Sequence, residues 1–109
     1  MILAIDVGGT KTLVALYERQ KNEWCVRKEK KYQSSDFQSI TAILTDFADQ
    51  SAYAQVTIVC AGVAGPIVES VCQITNLSWS LSVSEIQEIT NVDSVHLLND
   101  LEATAWGIR

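Results

Sequence analysis

The 109-residue sequence has few residues of the types that form metal sites and covalent cross-links: one histidine and three cysteines, together with a single proline. Cys25, Cys60 and Cys72 are odd in number and show neither the C-x-x-C nor the Cys/His spacing of a zinc site. A disulfide framework is therefore excluded, and we expect three small buried hydrophobic residues in a reducing, cytoplasmic compartment. The lone His96 lies in an apolar run, so we expect a strand residue facing a polar partner, without a catalytic role.

Long apolar runs and an excess of basic residues are also missing. No uncharged apolar stretch approaches the roughly 18 residues of a membrane-spanning helix, and the start, MILAID, lacks the basic region of a signal peptide. Eight Lys and Arg against 13 Asp and Glu give a net charge of −5, which disfavours nucleic acid as a partner. The 48% of hydrophobic residues excludes disorder and predicts one domain with its own core.

The hydrophobic pattern predicts six strands. Ile2–Val7 and residues 12–18 are apolar runs joined by Gly8-Gly9-Thr10-Lys11, which is typical of a β-hairpin. Residues 23–32 alternate loosely and then become basic, as expected of a solvated edge strand; a phosphate-binding role for this basic run is the weaker alternative. Residues 56–61 form a continuous apolar run, typical of a strand buried on both faces, and further strands are predicted at 68–74 and 94–98.

Three helices are predicted between and after these strands. From residue 36 apolar side chains recur at steps of three and four, which predicts an amphipathic helix capped by Ser34, Ser35 or Asp36. The capping box Ser82-Val83-Ser84-Glu85 predicts a second helix that begins at Ser82 and ends near residue 90. A third is expected at residues 101–108. The order β-β-β-α-β-β-α-β-α implies an α/β domain, a mixed sheet flanked by helices.

The segment from Asp6 to Thr12, DVGGTKT, is the strongest candidate for chemistry. It is neither a Walker A loop nor a dinucleotide fingerprint, because a strand rather than a helix follows the glycines. Adjacent glycines expose backbone N–H groups that attract anions, Thr10 and Thr12 can add hydroxyl donors, and Lys11 adds a positive charge. Asp6 at a strand end can face hydrated Mg²⁺. The alternative is a plain turn in which Asp6 accepts backbone hydrogen bonds.

A second candidate is Asn99-Asp100, at the carboxyl end of the last predicted strand. Open α/β sheets bind their ligands at this position. Asn99 can donate to and accept from a sugar hydroxyl, and Asp100 can accept the proton of a hydroxyl that attacks a phosphoryl group. Asp100 is equally suited to cap the predicted helix at 101–108, and from the dipeptide alone the two interpretations are balanced.

Four segments, in order along the chain, resemble the amino-terminal part of bacterial glucokinases, in the sugar kinase/actin/Hsp70-type ATPase superfamily. They are AIDVGGTKT at 4–12, AGVAGPI at 61–67, TNLSW at 75–79 and LNDLEATA at 98–105. The T-N-x-x-W segment favours this group over the related ROK sugar kinases and repressors. The resemblance implies a ribonuclease H-like/actin-like ATPase fold, and the phosphorylation of the glucose 6-hydroxyl by ATP with Mg²⁺.

The same resemblance implies roles for single residues. Asp100 is the catalytic base and Asn99 is a sugar-hydroxyl ligand, while loops containing Gly65, Pro66 and Asn76 line the sugar cleft. The nucleotide phosphates are bound by the first loop, which contains Gly8, Gly9, Thr10 and Lys11. Asp6 lies near the metal and contacts Mg²⁺ through water.

Members of this family are much longer than 109 residues and place further sugar ligands and the adenosine pocket in a second, larger domain. We therefore expect residues 1–109 to be the small amino-terminal domain of a two-domain kinase and to be inactive alone. Alternatives are another hexose or N-acetylhexosamine kinase and a ROK-type sugar-sensing repressor. The expected partners are glucose and ATP, without nucleic acid or membrane, and a homodimer of the full-length protein is left open.

Overall fold

A computed structural model describes residues 1–8, 10–63, 67–73 and 80–99. The elements in chain order are β1 (Ile2–Val7), β2 (Lys11–Gln20), β3 (Glu23–Gln33), α1 (Ile40–Phe47), α2 (Gln50–Tyr53), β4 (Ile58–Val63), β5 (Ile67–Val68), β6 (Val71–Gln73), β7 (Ser80–Ser82), α3 (Val83–Thr90) and β8 (Val95–Asn99). A short 3-10 helix, Ser34–Asp36, follows β3. The strands form a five-stranded sheet in the order β3-β2-β1-β4-β8 and a three-stranded sheet in the order β5-β6-β7.

The large sheet is mixed, which confirms the predicted α/β class. β1, β2 and β3 are antiparallel neighbours joined by tight turns, whereas β1, β4 and β8 run parallel. Parallel neighbours need a crossover connection, and here α1 and α2 precede β4 while α3 precedes β8. As predicted, β3 with its basic residues is an edge strand.

One face of the large sheet packs against the helices. Side chains alternate along a strand, so Leu3, Ile5 and Val7 share one face of β1, and all three are buried. The hydrophobic cluster formed with them includes Val14, Val59, Val63, Ile40, Ile43, Leu44, Phe47 and Ile86. The prediction that the apolar run at 56–61 is buried on both faces is wrong: β4 begins at Ile58, whose side chain is 37% exposed, and Cys60 is only half-buried.

Helix α1 begins later than predicted. Ser39 is its N-cap and accepts a hydrogen bond from the Ala42 N–H at 3.2 Å. Ser34, Ser35 and Asp36, the predicted caps, instead form the 3-10 helix, and Phe37 is extended, with its ring edge-on to Tyr32 at 5.3 Å. The tertiary packing of Phe37 therefore places it outside the helix, although its spacing from Ile40 is helical.

The region between β4 and α3 also differs from the prediction. The strand expected at 68–74 is a hairpin, β5 and β6, whose turn residues Glu69 and Ser70 have φ of 52° and 64°. Residues other than glycine and asparagine seldom adopt such angles, so the sequence carries no turn signal there. The capping box is confirmed, because Ser82 accepts a hydrogen bond from the Glu85 N–H at 3.1 Å. The helix predicted at 101–108 lies outside the described residues.

The cysteines and the histidine follow the expectations only in part. Cys25, Cys60 and Cys72 form no disulfide; Cys72 is buried as expected, whereas Cys25 and Cys60 are partly exposed, so the expectation of three buried cysteines is wrong for these two. His96 lies in β8, with Nε2 at 3.1 Å from the Ser94 hydroxyl. Within the described ranges, no helix combines the length and the apolar character needed to span a bilayer.

Candidate phosphate and sugar site

The carboxyl ends of three parallel strands lie side by side at one edge of the large sheet. Val7 of β1 is in register with Val63 of β4, which is in register with Asn99 of β8. Neighbouring strands are about 4.8 Å apart, so the backbones at Val7 and Asn99 are separated by about 10 Å. Gly8, at the start of the turn, and Asn99 are distant in sequence but therefore lie at the same edge.

The turn after β1 is closed by backbone hydrogen bonding. Val7 is paired with Thr12, and the Gly8 N–H donates to the Lys11 carbonyl oxygen at 3.0 Å. A Cβ atom at Gly8 would lie 2.8 Å from that same oxygen, which is closer than real Cβ contacts. The first glycine is thus required by the close approach of two backbone segments, whatever the turn binds.

The side chains around this turn divide into exposed and buried ones. Thr10 and Lys11 are exposed, as expected of groups that meet a phosphate. Thr12 is fully buried, and its hydroxyl oxygen lies 2.8 Å from that of Ser34. The expectation that Thr12 donates to phosphate is therefore wrong, because its side chain points into the protein. Gly9 lies outside the described residues.

Ser34 contacts the turn on both sides of its apex. The Ser34 N–H donates to the Thr10 carbonyl oxygen at 2.9 Å, and the Ser34 hydroxyl donates to the Gly8 carbonyl oxygen at 2.9 Å. Sequence reasoning assigned Ser34 only as a helix cap. The signal that could have found it is the β2–β3 register, which pairs Lys11 with Gln33 and so places Ser34 beside the turn.

Asp6 is exposed near the end of β1 and is in register with Leu13 and Gly62. Magnesium usually keeps several waters and is held by one or two carboxylates together with substrate phosphates. A single exposed carboxylate beside the turn after β1 suits such an ion. Among the residues that the structure describes, no three His, Cys, Asp or Glu side chains form a cluster that could hold a metal by itself.

The remaining predicted site residues lie at or beyond the ends of described strands. Asn99 is the last residue of β8. Gly65 and Pro66 fall between β4 and β5, Asn76 falls between β6 and β7, and Asp100 follows β8; these four lie outside the described residues.

The basic residues of β3 are bound to α1 rather than directed at the turn. The Lys28 ammonium donates to the Phe47 carbonyl oxygen, and Lys30 pairs with Asp46 at 3.0 Å. The Tyr32 hydroxyl donates to the same carboxylate at 2.9 Å. Hydrogen bonds from Lys30 and Tyr32 hold the pKa of Asp46 below its usual range. These contacts fix β3 against the carboxyl end of α1. They favour the interpretation of the basic run as part of a solvated edge strand over a phosphate-binding role.

A mixed five-stranded sheet with a turn at Gly8 after its first strand and Asn99 at the end of its last defines the class: a ribonuclease H-like domain of the actin-like ATPase and sugar kinase type. The glucokinase family model matches residues 3–109. The chain belongs to the glucokinase family.

Individual relatives agree with this assignment. The chain is 31% identical to a glucokinase of Nostoc punctiforme over 109 residues, which is 99% of this chain and 32% of that protein. It is 30% identical to a Synechocystis glucokinase, covering 97% of this chain and 33% of the relative. The chain thus spans about a third of the length of the curated relatives it matches.

Solved structures match the fold over nearly the whole chain. The crystal structure of a glucokinase from an Antarctic psychrotroph superimposes with a TM-score of 0.81 at 30% identity, covering 98% of this chain and 34% of that one. A Leishmania braziliensis glucokinase matches with a TM-score of 0.68 at 21% identity, covering 97% and 31%, and supports the fold alone.

Proposed function

We propose that the protein containing this chain phosphorylates glucose at the 6-hydroxyl with ATP and Mg²⁺ in the cytoplasm, and that residues 1–109 form the first of its two domains. Membership of the glucokinase family supports this proposal. The observation that supports it is the register of Val7, Val63 and Asn99, which brings the end of β1, before Gly8, and Asn99 to one sheet edge. The isolated domain is expected to be inactive, because half of the cleft belongs to the second domain.

In this proposal the sugar meets residues that follow β8, β4 and β6. Asn99 binds a sugar hydroxyl, and Gly65, Pro66 and Asn76 line the cleft around it. Asp100 accepts the proton of the 6-hydroxyl as its oxygen forms a bond to the γ-phosphorus of ATP. The bond between that phosphorus and the bridging oxygen breaks, and ADP leaves. In a loose transition state the proton leaves late, so a weak base that is well positioned suffices.

The nucleotide phosphates meet the turn after β1. Gly8, Gly9 and Thr10 supply the backbone of an anion-binding turn, the exposed Thr10 hydroxyl donates, and Lys11 contributes a positive charge. Asp6 holds water ligands of the metal, which when bound neutralises charge on the phosphates. With a net charge of −5, the chain depends on such local groups to hold an anionic substrate.

The experiment that tests this proposal is an Asp100→Asn substitution in the full-length protein. We expect kcat for glucose phosphorylation to fall by about two to four orders of magnitude, the usual contribution of a positioned general base. The KM for glucose should change little, because the amide keeps the size and polarity of the carboxylate. Asp93→Asn, at an exposed aspartate before β8, is the matched control. Near-wild-type turnover in Asp100→Asn would leave Asp100 as a helix cap only.

A sugar panel separates the proposal from its alternatives. The wild-type protein is assayed with glucose, other hexoses and N-acetylhexosamines under the same ATP and Mg²⁺ concentrations. The highest kcat/KM is expected with glucose. A higher value with an N-acetylhexosamine would reassign the substrate, and sugar binding without turnover would indicate a sensor.

A further inference from the structure

We propose that Ser34 is a positioning residue that holds the turn after β1 in the shape that binds nucleotide phosphate. This inference rests on the proposed function, since it assumes that the turn receives an anion. It concerns a residue that lies 26 positions from Gly8 in sequence and belongs to none of the motifs described above. Three hydrogen bonds carry it: from the Ser34 N–H to Thr10, from the Ser34 hydroxyl to Gly8, and between the Thr12 and Ser34 hydroxyls.

The direction of each hydrogen bond follows from the number of protons available. A serine hydroxyl has one proton and two lone pairs. Ser34 uses its proton on the Gly8 carbonyl oxygen, which can only accept. In the bond of 2.8 Å between the two hydroxyls, Thr12 is therefore the donor and Ser34 the acceptor. Thr12 thus orients the Ser34 hydroxyl toward Gly8; both side chains are fully buried, and the bond between their hydroxyls is shielded from water.

The contacts act on the part of the turn that an anion would avoid. Carbonyl oxygens carry partial negative charge, so a turn binds phosphate only when its N–H groups rather than its carbonyls face the ligand. Ser34 bonds to the carbonyl oxygens of Gly8 and Thr10 and so holds both of them toward itself, at the start of the 3-10 helix. Neither oxygen can rotate toward a phosphate without breaking its hydrogen bond to Ser34. Loss of the Ser34 hydroxyl would release the Gly8 carbonyl.

The test uses three variants in the full-length protein. Ser34→Ala removes the donor to Gly8, Thr12→Val removes the group that orients it, and Thr12→Ser keeps that hydroxyl. We expect the KM for MgATP to rise about tenfold in the first two, as for loss of a buried hydrogen bond, and to stay within about twofold of wild type in Thr12→Ser. The KM for glucose should not change in any of them.

Thr90→Val is the matched control for the loss of a buried hydroxyl. Thr90 is as buried as Thr12, and its hydroxyl donates to the Ile86 carbonyl oxygen at 2.7 Å, within α3 and away from the turn. Its urea midpoint should fall as in Thr12→Val, while its KM for MgATP stays at the wild-type value. An equal rise in the KM for MgATP in Thr90→Val, or no rise in Ser34→Ala, overturns the inference.

Two further measurements separate this inference from the proposed function. Hydrogen exchange of the Gly8 amide should be faster in Ser34→Ala than in Thr90→Val. If the wild type transfers no phosphoryl group to any sugar, the proposed function fails, and titration of MgATP by calorimetry then decides the role of Ser34. A tenfold weaker affinity in Ser34→Ala supports it, and an unchanged affinity refutes it. If Ser34→Ala does not fold, Thr12→Val carries the same test.

Discussion

Gly8 is the residue at which the geometry of the turn is most constrained. Its N–H donates to the Lys11 carbonyl oxygen, its own carbonyl accepts from Ser34, and a Cβ atom would lie 2.8 Å from the Lys11 oxygen. The group in the way is backbone, which cannot move aside as the end of a flexible side chain can. The glycine is therefore needed for the turn to close, whether or not the turn binds a ligand.

We predict that Gly8→Ala lowers the free energy of unfolding by about 1–3 kcal/mol, the usual cost of overpacking a tight site. The turn must open to accept the methyl group, and this weakens the hydrogen bond between Gly8 and Lys11. Thr10→Ala, at an exposed position in the same turn, is the control and should change stability by less than about 0.5 kcal/mol. Both are measured by urea unfolding at neutral pH. Equal stabilities of the two variants would show that the turn has room.

For single residues, the sequence predicted the turn but not the hydrogen bonds from Ser34 and Thr12 that hold it. Phosphate binding at the glycines, Thr10 and Lys11 can be predicted from the sequence, because that chemistry is carried by adjacent residues. Thr12 was predicted to contact the ligand, but it is buried. Whether a side chain faces the core or the solvent depends on the residue at which the strand begins, and the sequence does not specify that residue. Ser34 was predicted only as a helix cap; its contact with the turn depends on the pairing of Lys11 with Gln33, a register that could have located it but that the sequence alone does not specify.

Among the elements, α3 illustrates a helix whose start is determined locally. Ser82 accepts a hydrogen bond from the Glu85 N–H, and Asn91 ends the helix in the left-handed conformation, with φ of 59°. Both signals lie within the helix and its flanks, so the capping pattern located it correctly. The start of α1 was misplaced because Phe37 packs on Tyr32 while Ser34 bonds to the turn, and such long-range contacts leave no local pattern.

We predict that Ser82→Ala destabilises the domain by about 1 kcal/mol, since the alanine leaves the Glu85 N–H without its cap. The same substitution at Ser84, which is exposed in the first turn of the same helix, is the control. Because alanine has the higher helix propensity, Ser84→Ala should be neutral or slightly stabilising. Thermal unfolding of the two variants gives the comparison. A loss in Ser84→Ala as large as that in Ser82→Ala would show that capping is not the cause.

For the whole molecule, buried tyrosines link stability to alkaline pH. Burial raises the pKa of Tyr53, whose hydroxyl donates to the Leu44 carbonyl oxygen. Burial, followed by the hydrogen bond to Asp46, raises the pKa of Tyr32. Each group has a higher pKa in the folded chain than its ordinary value of 10.0. Their contribution to stability is therefore complete below that value and is lost as the pH rises above it.

We predict that the free energy of unfolding decreases from about pH 9 to 11, and that Tyr53→Phe makes this decrease shallower. The phenylalanine cannot ionise, so the unfolded state no longer gains stability by releasing that proton. At pH 7 the variant should be less stable than wild type, because the hydrogen bond to Leu44 is lost. Urea unfolding across this range gives both quantities. Parallel pH profiles for variant and wild type would contradict the assignment.

The contact of Ser34 with the turn also bears on which part of this domain can be moved or shortened. The residues that bind phosphate in the proposal span one hairpin, yet the bonds that shape the turn come from a residue 22 positions beyond Thr12 and 26 beyond Gly8. During synthesis the turn cannot take its observed shape until β3 has emerged and paired with β2. A hairpin of β1 and β2 grafted alone into another protein would contain the glycine sequence but would lack the Ser34 hydrogen bonds to the turn. The shortest segment that retains these hydrogen bonds therefore runs from β1 to Ser34.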